Sequence, residues 1–232
     1  MNDGLQTAYS GYAGSDSVVA RNRVLRNTYW LLALSMVPTV LGAWVGVTYN
    51  FNLFAANPLM GFIAFMAIAF GFFYAIEKTK NSGLGVVLLL AFTFFMGLML
   101  SRLIHSILGF SNGSELIMMA FGGTAVVFFG MATLATTIKR DISGMGKWLM
   151  VGVLGLIAAS VANIWLQMPA LFMAVSVLAI VIFSAFILHD LKRVIDGGET
   201  NYVTATLSVY LSLYNIFQSI LSLLGIFGGQ RD

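Results

Sequence analysis

YVTATLSVYLSLYNIFQSILSLLGIF, residues 202–227, is the last apolar run of the chain, and its reading decides the fold. It is long enough to cross a bilayer, since about 20 helical residues span the hydrocarbon core. It also carries Thr204, Ser208, Ser212, Asn215, Ser219 and Ser222, at spacings of 4, 4, 3, 4 and 3. At about 100° per residue these side chains fall within an arc of roughly 80°, with Gln218 beside them and Tyr210 on the far side. Within lipid, a small and polar stripe turns toward other helices, where backbones approach closely and hydroxyls and amides find partners. The segment is therefore predicted to be the hub of a helical bundle. The alternative is a peripheral span whose serines bond back to their own turn. Asn215 favours the hub, because a carboxamide left unpaired in hydrocarbon is costly. This orientation predicts that Asn215→Leu disturbs the bundle more than Tyr210→Leu.

Composition supports a membrane protein. Of 232 residues, 59% are hydrophobic and only 9% charged, and the mean hydropathy is +0.91; soluble domains carry roughly 25% charged residues. There is no cysteine, hence no disulfide, thiolate metal site or cysteine nucleophile. A net charge of +3, scattered along the chain, does not suggest nucleic acid. No signal-peptide pattern is visible, because the first apolar run follows a polar stretch and exceeds an h-region in length.

Residues 1–27 show no periodicity and end in Arg21, Arg23 and Arg26, which predicts a flexible tail with a basic anchor. Seven spans follow within residues 28–227. Thr28–Tyr49 holds Pro38, expected to kink it, and Trp30 and Trp44 near its ends, where aromatic belts lie. Pro58 opens the second span, which runs to about Ile76. The next are Leu84–Leu108, Leu116–Ile138 and Trp148–Leu166, then a sixth from Pro169 to near His189, and the seventh quoted above. Residues 228–232 form a short tail. Ten of the twelve Lys and Arg residues fall on one side of this arrangement: Arg21, Arg23, Arg26, Lys78, Lys80, Lys139, Arg140, Lys147, Lys192 and Arg193. The excess of basic residues in cytoplasmic loops then predicts the N-terminus in the cytoplasm and the C-terminus in the periplasm. Gly122, Gly123, Gly130, Gly152 and Gly155 suit close helix contact.

Few residues invite chemistry. Asp190 ends the sixth span beside His189, where a carboxylate at the mouth of a bundle could sense protons or hold a cation. Its plainer reading is a solvated helix end paired with Lys192 or Arg193. Thr200 or Asn201 is placed to cap the seventh helix, and Gly197–Gly198 to end the sixth. Arg102 and His105 share a face of the third span, and Glu115, across a short loop, is a candidate partner for Arg102; the alternative is snorkelling to the interface. Enzyme readings lack their residues: there is no G-x-S-x-G turn and no H-E-x-x-H. The two histidines lie near opposite faces of the membrane, and only Asp190 comes close to the paired intramembrane carboxylates of an aspartyl protease. No cofactor or resident metal is implied.

The segments VLRNTYWLL (24–32), MAFGGTAVVFFG (119–130), VANIWLQMPAL (161–171) and GGETNYVTATLSVYLSLYNIF (197–217) resemble the Bax inhibitor-1 family. The likeness runs from about Arg21 to the C-terminus. It implies an all-α polytopic fold in which six helices surround the last one. Bacterial members with these motifs imply residence in the inner membrane and a regulatory association with the ATP-driven protease FtsH and its membrane partners HflK and HflC, with the N-terminal tail as the handle the protease grips. The wider family also has a pH-sensitive calcium leak, attributed to aspartates on the sixth and seventh helices latched by an arginine of the second. Asp190 matches the first aspartate. Ser212 stands at the second, and no arginine lies between Arg26 and Arg102. A weak Ca²⁺ contact, with Asp190, His189, Ser212 and Asn215 as candidate ion- or proton-sensing residues, is what remains of that implication here.

Overall fold

The computed structural model describes residues 3–53 and 57–230, with side chains from residue 19 onward. Seven helices occupy them: α1 (Asp3–Thr48), α2 (Pro58–Thr79), α3 (Gly83–Leu108), α4 (Gly113–Thr137), α5 (Met145–Leu166), α6 (Pro169–Ile195) and α7 (Tyr202–Gly228). All seven are long and apolar enough to cross a membrane, the first over Val19–Thr48; the protein is a multi-pass membrane protein. Trp30, Trp44, Trp148 and Trp165 all point outward.

Within the stretch read as a flexible tail, 1–27, the residues from Asp3 onward are helical and continuous with the first span. The cause lies in cooperativity: the span supplies the costly helical nucleus, and each further residue adds a hydrogen bond at little extra cost. Leu25 already packs on the core, and Thr28 is fully buried. The helix also runs through Pro38 without a break. Hydroxyls on either side of that proline bond to helix carbonyls, Ser35 Oγ to Leu32 O (2.6 Å) and Thr39 Oγ1 to Ser35 O (2.8 Å).

The centre of the bundle is α7. Helices α1, α2, α3, α4 and α6 pack directly on it, while α5 packs on α6 and faces α7 across a cavity. Both ends of α7 are fastened by asparagines. Asn201 Oδ1 accepts the N–H groups of Val203 (2.9 Å) and Thr204 (3.2 Å), and so caps the helix. Its Nδ2 donates to Lys80 O (3.1 Å) and Asn81 Oδ1 (2.8 Å), tying the α6–α7 loop to the α2–α3 loop. The turn before it needs Gly197, whose φ of +82° lies in the left-handed region. At the other end Asn112 Nδ2 donates to Gly228 O (2.7 Å), and Asn112 Oδ1 accepts from Gln230 N (3.1 Å). Residues 228–230 are therefore tied down; residues 231–232 lie outside the described residues.

The closest helix crossing is between α1 and α3. A Cβ on Gly42 would collide with the Phe94 carbonyl, one on Gly97 with the Thr39 carbonyl, and one on Gly46 with the Ser101 side chain. Of the glycines expected to give close contact, Gly122, Gly130 and Gly155 face open space, and Gly123 and Gly152 meet only isoleucine side chains. That expectation is corrected for Gly122, Gly130 and Gly155, which α4 and α5 turn outward; Gly123 and Gly152 do face α7 and α6, but meet a side chain there and no backbone.

Candidate functional site

The polar stripe on α7 can be followed residue by residue. None of Thr204, Ser208, Ser212, Asn215, Ser219 and Ser222 is exposed. Ser212 Oγ donates to Ser208 O (3.2 Å) and Asn215 Nδ2 to Leu211 O (2.8 Å), both within their own helix. Thr204 Oγ1 is buried without a partner. The stripe is thus covered by protein, yet its bonds run back to the preceding turn instead of across to a neighbour.

The opposite face of α7 is the more tightly packed one. Val203, Thr206, Val209, Tyr210 and Ile216 are all at most 1% exposed. The Tyr210 hydroxyl is 2.9 Å from Thr39 Oγ1 of α1 and donates to Thr93 O of α3 (3.4 Å), while Thr206 Oγ1 donates to Tyr202 O and Thr28 O. Phe92 meets the Tyr210 ring edge-on at 6.4 Å. The picture of Tyr210 as a side chain remote from the packed face is corrected: it pins three helices. Apolar side chains with one terminal hydroxyl fill volume better than serines, so they take the side where α1, α3 and α4 converge.

The stripe in its second half looks into a cavity of ≈350 Å³. Its polar lining combines Ser160 and Asn163 of α5, Ser176 of α6, and Asn215, Gln218, Ser219 and Ser222 of α7, with Phe62, Phe172 and Phe183 among the apolar lining residues. Composition gave no sign of it, because its polar groups come from three separate spans. Residues 215–222 lie at and beyond the midpoint of α7, about 20 Å from its start at 1.5 Å per residue. The cavity therefore sits toward the end opposite the basic loops.

At the basic end, Asp190 and His189 are brought together, Oδ1 to Nδ1 at 3.1 Å, with side chains 16% and 11% exposed. The lysine and arginine expected as alternative partners of Asp190 are engaged elsewhere: Lys192 with Asp196 (2.7 Å) and Arg193 with Glu199 (3.8 Å). Gly146, in the first turn of α5, makes room for the imidazole; a Cβ there would stand 2.9 Å from His189 Nε2. In the neighbouring loop the Ser143 N–H donates to Asp141 (2.8 Å) and holds that carboxyl below the usual carboxylate range. Ser212 does not join the Asp190–His189 pair through any hydrogen bond; its hydroxyl stays on α7. Arg102 and Glu115 are both exposed, and the ion pairs among the described residues do not include them.

Comparison with known proteins places this geometry. Residues 21–229 match the family model described as "Inhibitor of apoptosis-promoting Bax1". The chain is 40% identical over 209 residues to the Escherichia coli K12 protein named "Modulator of FtsH protease YccA", covering 90% of this chain and 92% of that one. The same identity and coverage relate it to "Inner membrane protein YccA" of E. coli O6:H1. It is also 37% identical over 218 residues to an uncharacterized Pseudomonas aeruginosa protein, covering 92% and 96%. With seven apolar helices packed about the last of them, and a family match from Arg21 to Gly229, this chain is a member of the Bax inhibitor-1 family.

Proposed function

We propose that the protein is a non-catalytic regulator of the bacterial inner membrane that associates with an FtsH-type ATP-dependent protease, in the company of HflK and HflC, and modulates degradation of other membrane proteins. The observation that carries this reading is the 40% identity, across nine-tenths of both chains, to a protein named as a modulator of FtsH. With the basic loops in the cytoplasm, the part of α1 that precedes its span is on the side where a cytoplasmic ATPase acts. That segment, residues 3–18, continues α1 beyond Val19–Thr48 and is the handle we assign to the protease. Pull-down from native membranes tests the reading, with the full chain and with residues 1–20 removed. FtsH is expected with the full chain and is expected to be depleted by the truncation. Absence of FtsH from the full-length eluate, together with unchanged turnover of FtsH membrane substrates in a deletion strain, sinks it.

A calcium leak is the second reading, favoured by the half-buried His189–Asp190 pair at the basic end of α6. Ser212, uncharged and bonded within its own helix, cannot share a proton with Asp190 as a second carboxylate does. Liposomes holding the purified protein separate the two readings. A Ca²⁺ flux abolished by Asp190→Asn supports the leak, and no flux at any pH removes it.

A further inference from the structure

The motif GGETN, residues 197–201, joins α6 to α7, and two arginines from different helices lie over its glycines. A Cβ on Gly197 would stand 3.1 Å from Arg21 Cδ of α1 and 3.6 Å from Arg21 Nε, and one on Gly198 would stand 3.2 Å from Arg193 Cγ of α6. Arg193 Nε donates to Gly198 O (3.3 Å), and its Nη2 lies 3.8 Å from Glu199 Oε2. Glu199 Oε1 in turn accepts from Asn201 N (2.9 Å). Asn201 is the residue that caps α7 and reaches Lys80 O and Asn81 Oδ1. One short loop therefore touches α1, α6, α7 and the α2–α3 loop, all at the basic end of the bundle.

Arg21 is where this network meets the start of the first span. Residues 3–18 precede it on the same helix, and Val19 and Ala20 are exposed. Beyond it the helix is covered: Leu25 packs on the core, Thr28 is fully buried, and Thr28 O accepts from Thr206 Oγ1 of α7 (3.3 Å). A pull on the N-terminal segment along α1 therefore loads Arg21 before it loads the core. An arginine stem contributes packing as well as charge, so the contact with Gly197 does not depend on the guanidinium alone. From Gly197 the load passes along the loop, through Glu199 and Asn201, to the first turn of α7. Contacts loaded together have to break together, whereas contacts loaded in turn give way one at a time.

We infer that residues 197–201 form a mechanical clasp, closed by Arg21, that ties the start of α1 to the cap of α7, so that α1 is not drawn out from its basic end until the α6–α7 loop gives way. The role of the clasp rests on the protease reading: it sets the resistance that an ATPase meets once residues 3–18 have been taken up, and so slows entry of this chain. The far end of α7 has a separate tie, Asn112 to Gly228 and Gln230, so the clasp acts on one direction of pull only.

Single molecules of the full chain in bilayers are pulled at constant force through a cysteine added before Met1, the chain having none of its own. Arg21→Ala is expected to undergo its first unfolding event about fivefold faster than the parent, roughly 1 kcal/mol on a scale where tenfold is about 1.4. Arg21→Lys, which keeps an unbranched stem over Gly197, is expected to fall between the two. Arg23→Ala, which removes the same charge from an exposed position, is expected to match the parent. Glu199→Ala, which takes a carboxylate from Asn201 N and Arg193 without touching α1, is expected to speed the event as well. Pulled instead through a cysteine added after Asp232, the parent and Arg21→Ala are expected to yield at the same rate, because the ties of Asn112 are loaded first. Equal rates for the parent and Arg21→Ala from the N-terminal end, an equal acceleration by Arg23→Ala, no effect of Glu199→Ala, or the same acceleration from both ends overturns the clasp. The pulling contains no protease. Its failure overturns the clasp whatever the pull-down from native membranes returns, and a pull-down without FtsH removes the protease reading while the measured forces stand.

Discussion

The α1–α3 seam and the α5–α6–α7 wall use similar residues and reach opposite densities. Both contain glycines at helical spacing, serines and large apolar side chains. In the seam, Gly42 and Gly97 each lie under a carbonyl of the other helix, so that the two backbones nearly touch. In the wall, Gly155 faces nothing, Gly152 meets the end of an isoleucine side chain, and a cavity separates α5 from α7. Small residues permit close approach but do not cause it. In a membrane, lipid tails are as apolar as leucine, so a helix closes on another only where packing and hydrogen bonds favour it. Tyr210 supplies that at the seam, with its hydroxyl between Thr39 and Thr93. Among the described residues no hydrogen bond joins α5 to α7.

The largest expected effect is at the seam. Gly97→Val puts a branched side chain into the Thr39 carbonyl and should lower stability in detergent by about 3 kcal/mol, or prevent folding. A melting temperature within about 2 °C of the parent would mean that the crossing is looser than described. Next comes Tyr210→Leu, which removes a fully buried ring and should cost about 2 kcal/mol; Tyr210→Phe isolates the hydroxyl and should cost about 0.6 kcal/mol, the average for an interhelical hydrogen bond in a membrane. Asn215→Leu should be smaller than Tyr210→Leu, at most about 0.6 kcal/mol, because Asn215 bonds within its own helix and borders the cavity. That reverses the order read from the stripe alone; finding Asn215→Leu the more damaging would return the dense contact to the stripe side. The smallest effect is at the wall: Gly155→Ala should change stability by less than about 0.5 kcal/mol, and a large loss would reveal a packing partner for that face of α5.

Much of the fold was legible along the chain. Each span is a hydrocarbon-length apolar run, and the starts of α2 and α6 are marked by Pro58 and Pro169, which lack an N–H where a helix needs none. Asn201 was one of two residues placed to cap α7, and it does so. The pairing of Asp190 was read less well. Nearness along the chain suggested Lys192 or Arg193, yet each has another carboxylate to pair with, and the adjacent imidazole is what reaches Asp190. Nearness along the chain does not register that Asp196 lies one turn on from Lys192, or that the loop brings Glu199 to Arg193.

The amino-acid sequence alone determined the number of spans, their order and the family, because the transfer of a side chain between water and hydrocarbon depends on the residue itself. Only the tertiary structure decided how α7 is rotated, which glycines meet a backbone and where a cavity remains. Inside a membrane a lipid-facing surface and a protein-facing surface are equally apolar, so hydropathy carries no record of which is which. That choice is made by shape and by the few hydroxyls that find, or lack, a partner.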